Sequence, residues 1–83
     1  MRADDLKKIL DRRPFRPLRL HMSDGSHVDI RHPEPVVVSR SYVLVPEVVS
    51  PAGVLEEFEF YGLLHIVRVT RAGRNGGRGR SRR

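Results

Sequence analysis

The residues best suited to chemistry in this chain are arginines spaced by glycine and small polar residues at its end. Segment 71–83 reads RAGRNGGRGRSRR and carries six arginines and no acidic residue. A guanidinium pairs with phosphate or stacks on an exposed base, and glycine lets the backbone follow an irregular strand. The pattern therefore predicts contact with nucleic acid, RNA more than a rigid duplex. The alternative is a segment that only keeps the protein soluble or has no role. The predicted contact residues are Arg71, Arg74, Arg78, Arg80, Arg82 and Arg83.

The formal net charge of +6 comes from this segment alone. The chain has 16 Lys and Arg against 10 Asp and Glu, so residues 1–70 carry ten of each sign. Among these, residues 1–22 have a basic excess and residues 23–70 an acidic one. The basic end, including Arg12 and Arg13, extends the predicted footprint. A solvated helix face is the alternative for this end, because interleaved aspartates weaken its potential.

Residue patterns for catalysis or metal binding are weak. The chain has no cysteine, which excludes a thiol nucleophile, a disulfide framework and a zinc ribbon. His21 and His27 can face each other across a hairpin, but two ligands do not complete a structural metal site. His65 is expected to be partly buried at the start of a strand. We therefore predict no catalytic residue, no metal and no cofactor.

A short N-terminal helix is predicted from Leu6, Ile9 and Leu10, which recur at helical spacing. Asp4 or Asp5 is able to cap it, and Pro14 closes the segment because the residue before proline avoids helical dihedrals. A helix of two to three turns is unstable alone. Its apolar stripe must therefore pack on another element.

A β-hairpin follows, because apolar and polar residues alternate on both sides of Ser23-Asp24-Gly25. A two-residue turn would place core residues opposite solvent residues, whereas a three-residue loop keeps each face uniform. We therefore predict the three-residue loop, with Gly25 in the left-handed conformation. This register pairs Leu18 with Ile30, Arg19 with Asp29, Leu20 with Val28 and His21 with His27.

The second predicted hairpin, 35–39 and 41–45, is apolar on both faces, so both faces should be covered by the helix and a closing barrel or by a neighbouring subunit. A loop is expected from Pro46 to Gly53, then an acidic strand containing Glu56, Glu57 and Glu59, and a last strand over 66–70.

These elements predict a mainly β protein with one N-terminal helix (α+β). The expected domain, 1–70, is a small, strongly bent five- or six-stranded antiparallel barrel. Segment 71–83 is predicted to be a disordered tail.

Two resemblances accompany these predictions. The stretch 13–35 (RPFRPLRLHMSDGSHVDIRHPEP) and the later LLHIV resemble a group of short uncharacterised bacterial proteins with this layout, which implies no activity. The N-terminal helix, Asp24-Gly25 and Phe60-Tyr61-Gly62 resemble Sm-like RNA-binding proteins, which implies a bent five-stranded barrel, ring assembly and RNA binding. The glycine that those proteins carry midway along the second strand is absent here. His32-Pro33-Glu34-Pro35 also shortens that strand, so we adopt the barrel and not the ring.

The sequence thus leads to two functional hypotheses. The first is a noncatalytic nucleic-acid-binding module, contacting single-stranded RNA through the Arg/Gly tail with help from Arg12 and Arg13. The alternative is a protein-interaction or self-assembly module, a homo-oligomer included, that uses the acidic strand and the doubly apolar hairpin. No apolar run approaches the roughly 18 residues of a membrane span. A cytoplasmic protein with no membrane partner is therefore expected.

Overall fold

The computed structural model describes residues 1–73, which form one helix followed by six strands. The elements are α1 (Ala3–Leu10), β1 (Leu18–Met22), β2 (His27–Ile30), β3 (Val37–Val38), β4 (Tyr42–Val49), β5 (Leu55–Gly62), a 3₁₀ turn (Leu63–His65) and β6 (Ile66–Arg71). The predicted class, mainly β with one N-terminal helix, is confirmed.

The strands form two antiparallel three-stranded sheets, with strand orders β2-β1-β6 and β3-β4-β5. No closed barrel is found among residues 1–73, in contrast to the predicted one. Pro33 and Pro35 lie between β2 and β3. Because proline has no N–H to donate to a ladder, β2 does not continue into β3 as one strand that would link the sheets.

A single hydrophobic core joins both sheets and the helix. Leu6 of α1 is fully buried and Leu10 nearly so, which confirms that the apolar stripe of the helix packs inward. The predicted cap is wrong: Arg2 occupies the N-cap position, and Asp4 and Asp5 lie in the first turn. Carboxylates there still favour the helix dipole. The core consists of Leu6, Leu10, Leu20, Met22, Ile30, Val43, Val45, Leu63 and Ile66.

The first hairpin has the predicted register. β1 pairs with β2 through Leu18–Ile30, Arg19–Asp29, Leu20–Val28 and His21–His27. Met22 N–H donates to Ser26 O over 2.8 Å, which closes a three-residue loop. Gly25 has a φ of +92°, a conformation that side chains disfavour. The prediction that uniform faces decide the loop length is confirmed.

The second hairpin differs from the prediction, because β4 runs through Pro46 instead of ending before it. β3 has only two residues, which pair with Val43 and Leu44. Pro46 therefore lies where β4 has no neighbour on the β3 side, and the register towards β5 shifts directly after it. Proline is tolerated at such edges and bulges.

The end of the described chain is attached to the body. Arg71 is the last residue of β6, and Ala72 is buried and donates its N–H to Pro17 O over 2.9 Å. Both residues fall in the segment predicted as a tail, whose remaining residues, 74–83, lie outside the described ones. None of the helices within residues 1–73 has the length and hydropathy that crossing a bilayer requires.

Candidate nucleic-acid interface

Three of the predicted contact residues meet at one place on the surface. Arg12 and Arg13 follow the end of α1, and Arg71 ends β6. All three line a cleft of about 190 Å³, together with Arg16. The structure thus brings the basic N-terminal end and the start of the Arg/Gly segment together, although they are almost sixty residues apart in sequence.

A second, larger cleft shares residues with the first. Its volume is about 650 Å³, and Arg16 and Arg71 line both clefts. Arg31 is added here, and the remaining lining residues are Pro17, Ala72 and Gly73. No Asp or Glu lines either cleft. We name these five arginines, Arg12, Arg13, Arg16, Arg31 and Arg71, the arginine cluster.

Strand pairing explains why the cluster forms. Leu18 of β1 pairs with Ile30 of β2 on one side and with Arg71 of β6 on the other. Arg31 directly follows Ile30, and the 12–17 segment leads into Leu18. The start of β1, the end of β2 and the end of β6 therefore meet at one end of the sheet.

Each arginine of the cluster has a different local environment. Arg13 donates from Nη1 to the carbonyls of Leu10 and Arg12, each over 2.9 Å, so one end of this guanidinium stabilises the end of the helix. Arg31 Nη2 lies 3.5 Å from Asp29 Oδ2. Arg12, Arg16 and Arg71 are exposed. A guanidinium has five N–H donors, so Arg13 and Arg31 retain further donors beyond these contacts.

Two other basic residues of the N-terminal end, Lys7 and Arg19, form ion pairs within the protein. Lys7 pairs with Asp11 at 3.1 Å on the helix surface. Arg19 pairs with Asp29 at 2.8 Å, and this hydrogen bond raises the pKa of Arg19. The alternative predicted for this end, a solvated surface neutralised by aspartates, therefore applies to Lys7 and Arg19. Arg12, Arg13 and Arg16 belong to the arginine cluster instead.

Arg31 is the member of the cluster that sequence reasoning missed. The predicted register already pointed to Arg31, because this residue directly follows Ile30, the partner of Leu18. Finding it required knowing that β6 pairs with the other side of β1, which the sequence did not predict. The predicted contacts Arg74, Arg78, Arg80, Arg82 and Arg83 lie outside the described residues.

The histidines do not assemble a metal site within residues 1–73, where no group of three or more His, Asp or Glu side chains is arranged to hold a metal ion. His21 and His27 face each other as predicted, with ring centroids 6.4 Å apart, and His21 Nε2 lies 2.8 Å from Thr70 Oγ1. His65 lies in the 3₁₀ turn and is exposed, so its predicted partial burial is wrong.

Comparison of the chain with protein-family models, with curated proteins and with solved structures finds no match in any of the three.

Proposed function

We propose that this protein is a noncatalytic nucleic-acid-binding module that holds the phosphates of single-stranded RNA in the arginine cluster and along the Arg/Gly segment. The observation that carries the proposal is the convergence of five arginines on two adjoining clefts that no acidic residue lines. A concave surface lined by several arginines concentrates positive potential and attracts polyanions.

The position of the cluster supports a continuous path for the nucleic acid. Gly73, the last described residue, lines the larger cleft, so the Arg/Gly segment begins at the cluster itself. A strand held by Arg12, Arg16 and Arg71 can extend onto the arginines that follow. Phosphate contacts of this kind position a strand without reading its sequence, so little base specificity is expected.

Single-stranded RNA is favoured over a duplex for two reasons. Glycine-spaced arginines adapt to an irregular backbone and can stack on unpaired bases. The two adjoining clefts are short and irregular, whereas a duplex presents a regular groove that an extended helix or strand would fill.

The test is a fluorescence anisotropy titration of mixed-sequence single-stranded RNA at about 50 mM and about 200 mM salt. Ten phosphate contacts, five from the arginine cluster and five from the arginines beyond Gly73, imply a slope of log K against log salt of roughly −7, since each contributes about −0.7. Changing Arg16→Gln together with Arg71→Gln removes two contacts and should make the slope less steep by about 1.4. Changing the five arginines beyond Gly73 to glutamine should make this slope less steep by about 3.5.

Arg68→Gln is the matched control. Arg68 is an exposed arginine on β6, as Arg71 is, but it lines neither cleft. It should leave the slope close to that of the unchanged protein. Absence of salt-sensitive RNA binding by the full chain would overturn the proposal. Equal effects of Arg68→Gln and of the cluster variant would remove the cluster as the binding site.

The alternative, a protein-interaction or self-assembly module, is favoured by a separate observation. The hairpin that was expected to be covered on both faces is covered on one face only: Val43 and Val45 are buried, whereas Val37 is 57% exposed. The two functions use different surfaces and do not exclude each other.

A further inference from the structure

A third cleft, which we name the side pocket, adjoins the arginine cluster. Its volume is about 330 Å³, and Arg31 lines both this pocket and the larger cleft of the cluster. Ligand sites usually measure about 300–1,000 Å³, so the side pocket has room for one small group and not for a folded partner. Five of its lining residues are apolar: Pro35, Val36, Val45, Pro46 and Val49.

The prolines of the chain explain why this pocket exists. Pro33 and Pro35 separate β2 from β3, which has only two residues and pairs with Val43 and Leu44 of β4. Within residues 1–73, β4 has no strand beside it on that side beyond these two positions. The segment of the described chain that leaves β2 forms no backbone hydrogen bond with β4, and the side pocket is the space between them.

The polar groups of the side pocket differ from those of the cluster. They belong to Asp29, His32 and Glu47. The Asp29 carboxylate binds Arg19 at 2.8 Å and lies 3.5 Å from Arg31, so two guanidinium groups share its charge. Glu47 is exposed, and among the described residues its carboxylate forms no hydrogen bond or ion pair. Glu47 is therefore the acceptor that a ligand in this pocket meets.

A nucleobase matches this combination of apolar walls and a single acceptor group. Bases are flat and apolar on their two faces, and single-stranded RNA leaves their hydrogen-bonding edges unpaired. An ionised carboxylate has only acceptors, so it favours an edge that presents donors. Guanine has two neighbouring donors, N1–H and N2–H₂, whereas the other three bases place an acceptor beside each donor of the Watson–Crick edge. Guanine is therefore the base that fits Glu47 best.

We propose that the side pocket holds one guanine base of the bound RNA, with N1–H and N2–H₂ donating to Glu47 and the adjoining phosphate held by Arg31. This inference rests on the proposed function and adds base selectivity to it, since phosphate contacts alone read no sequence. Arg31 links the two parts because it lines both the pocket and the cluster. The ring of His32, which also lines the pocket, has a nitrogen that can donate to the O6 acceptor beside N1.

The charges of the pocket and of the cluster assign the parts of a nucleotide to different places. Phosphate oxygens are attracted to the arginine cluster and repelled by Glu47. The sugar–phosphate backbone therefore stays outside the side pocket, and only the uncharged base enters it. Contact of the base with the prolines and valines removes apolar surface from water, which adds to the hydrogen bonds at its edge.

RNA strands that differ in one base test the proposal. Fluorescence anisotropy compares an oligouridine of about 12 nucleotides with the same strand carrying one central guanine. The guanine strand should bind at least about fivefold more tightly, because a good bidentate contact to a base discriminates by that factor or more. Inosine lacks the N2 amino group, so a strand with inosine in place of the guanine should have an intermediate affinity.

The variants separate the carboxylate of the pocket from a general change of charge. Glu47→Gln replaces one acceptor oxygen with an amino donor, so this variant should bind the guanine strand and the oligouridine equally. Glu34→Gln is the matched control, because it removes the same charge from an exposed residue that does not line the pocket. It should keep the preference for guanine. Both positions are exposed, so the fold should persist by circular dichroism.

Methyl NMR spectra locate the base. The guanine strand should shift the signals of Val45 and Val49, which line the side pocket, more than the oligouridine does. Val67 is 63% exposed on β6 and does not line the pocket, so the two strands should affect its signal equally. A guanine-dependent shift at Val67 without one at Val45 would place the base elsewhere and overturn the proposal.

The outcomes distinguish this inference from the function on which it rests. If neither strand shows salt-sensitive binding, the proposed function fails and the guanine site fails with it. If both strands bind with equal affinity, the guanine site is wrong and the proposed function stands. A preference for guanine that Glu47→Gln and Glu34→Gln retain equally also overturns the site, because the base is then read by other residues.

Discussion

Arg19 and Asp29 form a bidentate ion pair across the first hairpin. Arg19 Nε donates to Asp29 Oδ1 over 2.8 Å and Nη2 donates to Oδ2 over 3.1 Å, and both side chains are only 20% exposed. Parallel hydrogen bonds between a guanidinium and a carboxylate are stronger than a single contact. This pair lies beside the arginine cluster and holds β2 to β1.

Replacing Asp29 with asparagine should therefore lower the free energy of unfolding by about 1–2 kcal/mol, because Arg19 loses charged hydrogen-bond partners. Urea denaturation at neutral pH measures this loss. Asp11→Asn is the control: it affects a pair with Lys7 whose side chains are about 60% exposed and should cost less than about 0.5 kcal/mol. Equal losses for the two variants would show that the hairpin pair adds nothing beyond a surface contact.

The stability of the hairpin should also depend on pH through His21. Burial is the main cause that lowers its pKa, and the charges of Arg68, His27 and Arg19 lower it further, whereas Asp29 acts in the opposite direction. The unfolded chain then binds a proton more readily than the folded chain does. Unfolding free energy should be fully retained above about pH 6.5 and should fall as the pH decreases below it.

Thermal denaturation of the unchanged protein and of His21→Gln from about pH 5 to about pH 8 tests this. The amide of glutamine can still bond Thr70, but it does not titrate, so the variant should show a smaller decrease at acid pH. His32→Gln, an exposed change outside the hairpin, is the control and should retain the full decrease. If His21→Gln has the same pH profile as the unchanged protein, His21 is not the cause of the decrease at acid pH.

Gly25 provides a test of the loop. Its φ of +92° disfavours any side chain, and a Cβ added there would meet no atom within 4 Å, so only the backbone conformation opposes substitution. Gly25→Ala should cost about 1–2 kcal/mol of stability. Gly25→Asn should cost less, because asparagine tolerates left-handed dihedrals better than alanine. Chemical denaturation of both variants checks the order, and an equal loss in the two would point to another cause.

The sequence predicted the first hairpin in full because its constraints are local. Alternation across Ser23-Asp24-Gly25 allowed only one loop length with uniform faces, and the opposite charges of Arg19 and Asp29 agreed with it. The helix was predicted for the same reason, from spacing within one segment. Pro46 was misplaced because proline breaks a strand only where a neighbouring strand needs the N–H that it lacks. The shortness of β3 was not apparent from the residues alone.

What the sequence by itself determined about this protein is therefore the set of elements, their faces and the concentration of excess charge in residues 71–83. Only the tertiary structure decided where surfaces form. It showed that pairing of β6 with β1 brings Arg71 to Arg12 and Arg16, and that the hairpin of β3 and β4 leaves Val37 uncovered. The physical reason is that periodicity reports which side of an element is apolar, whereas proximity and coverage depend on contacts between residues distant in the chain.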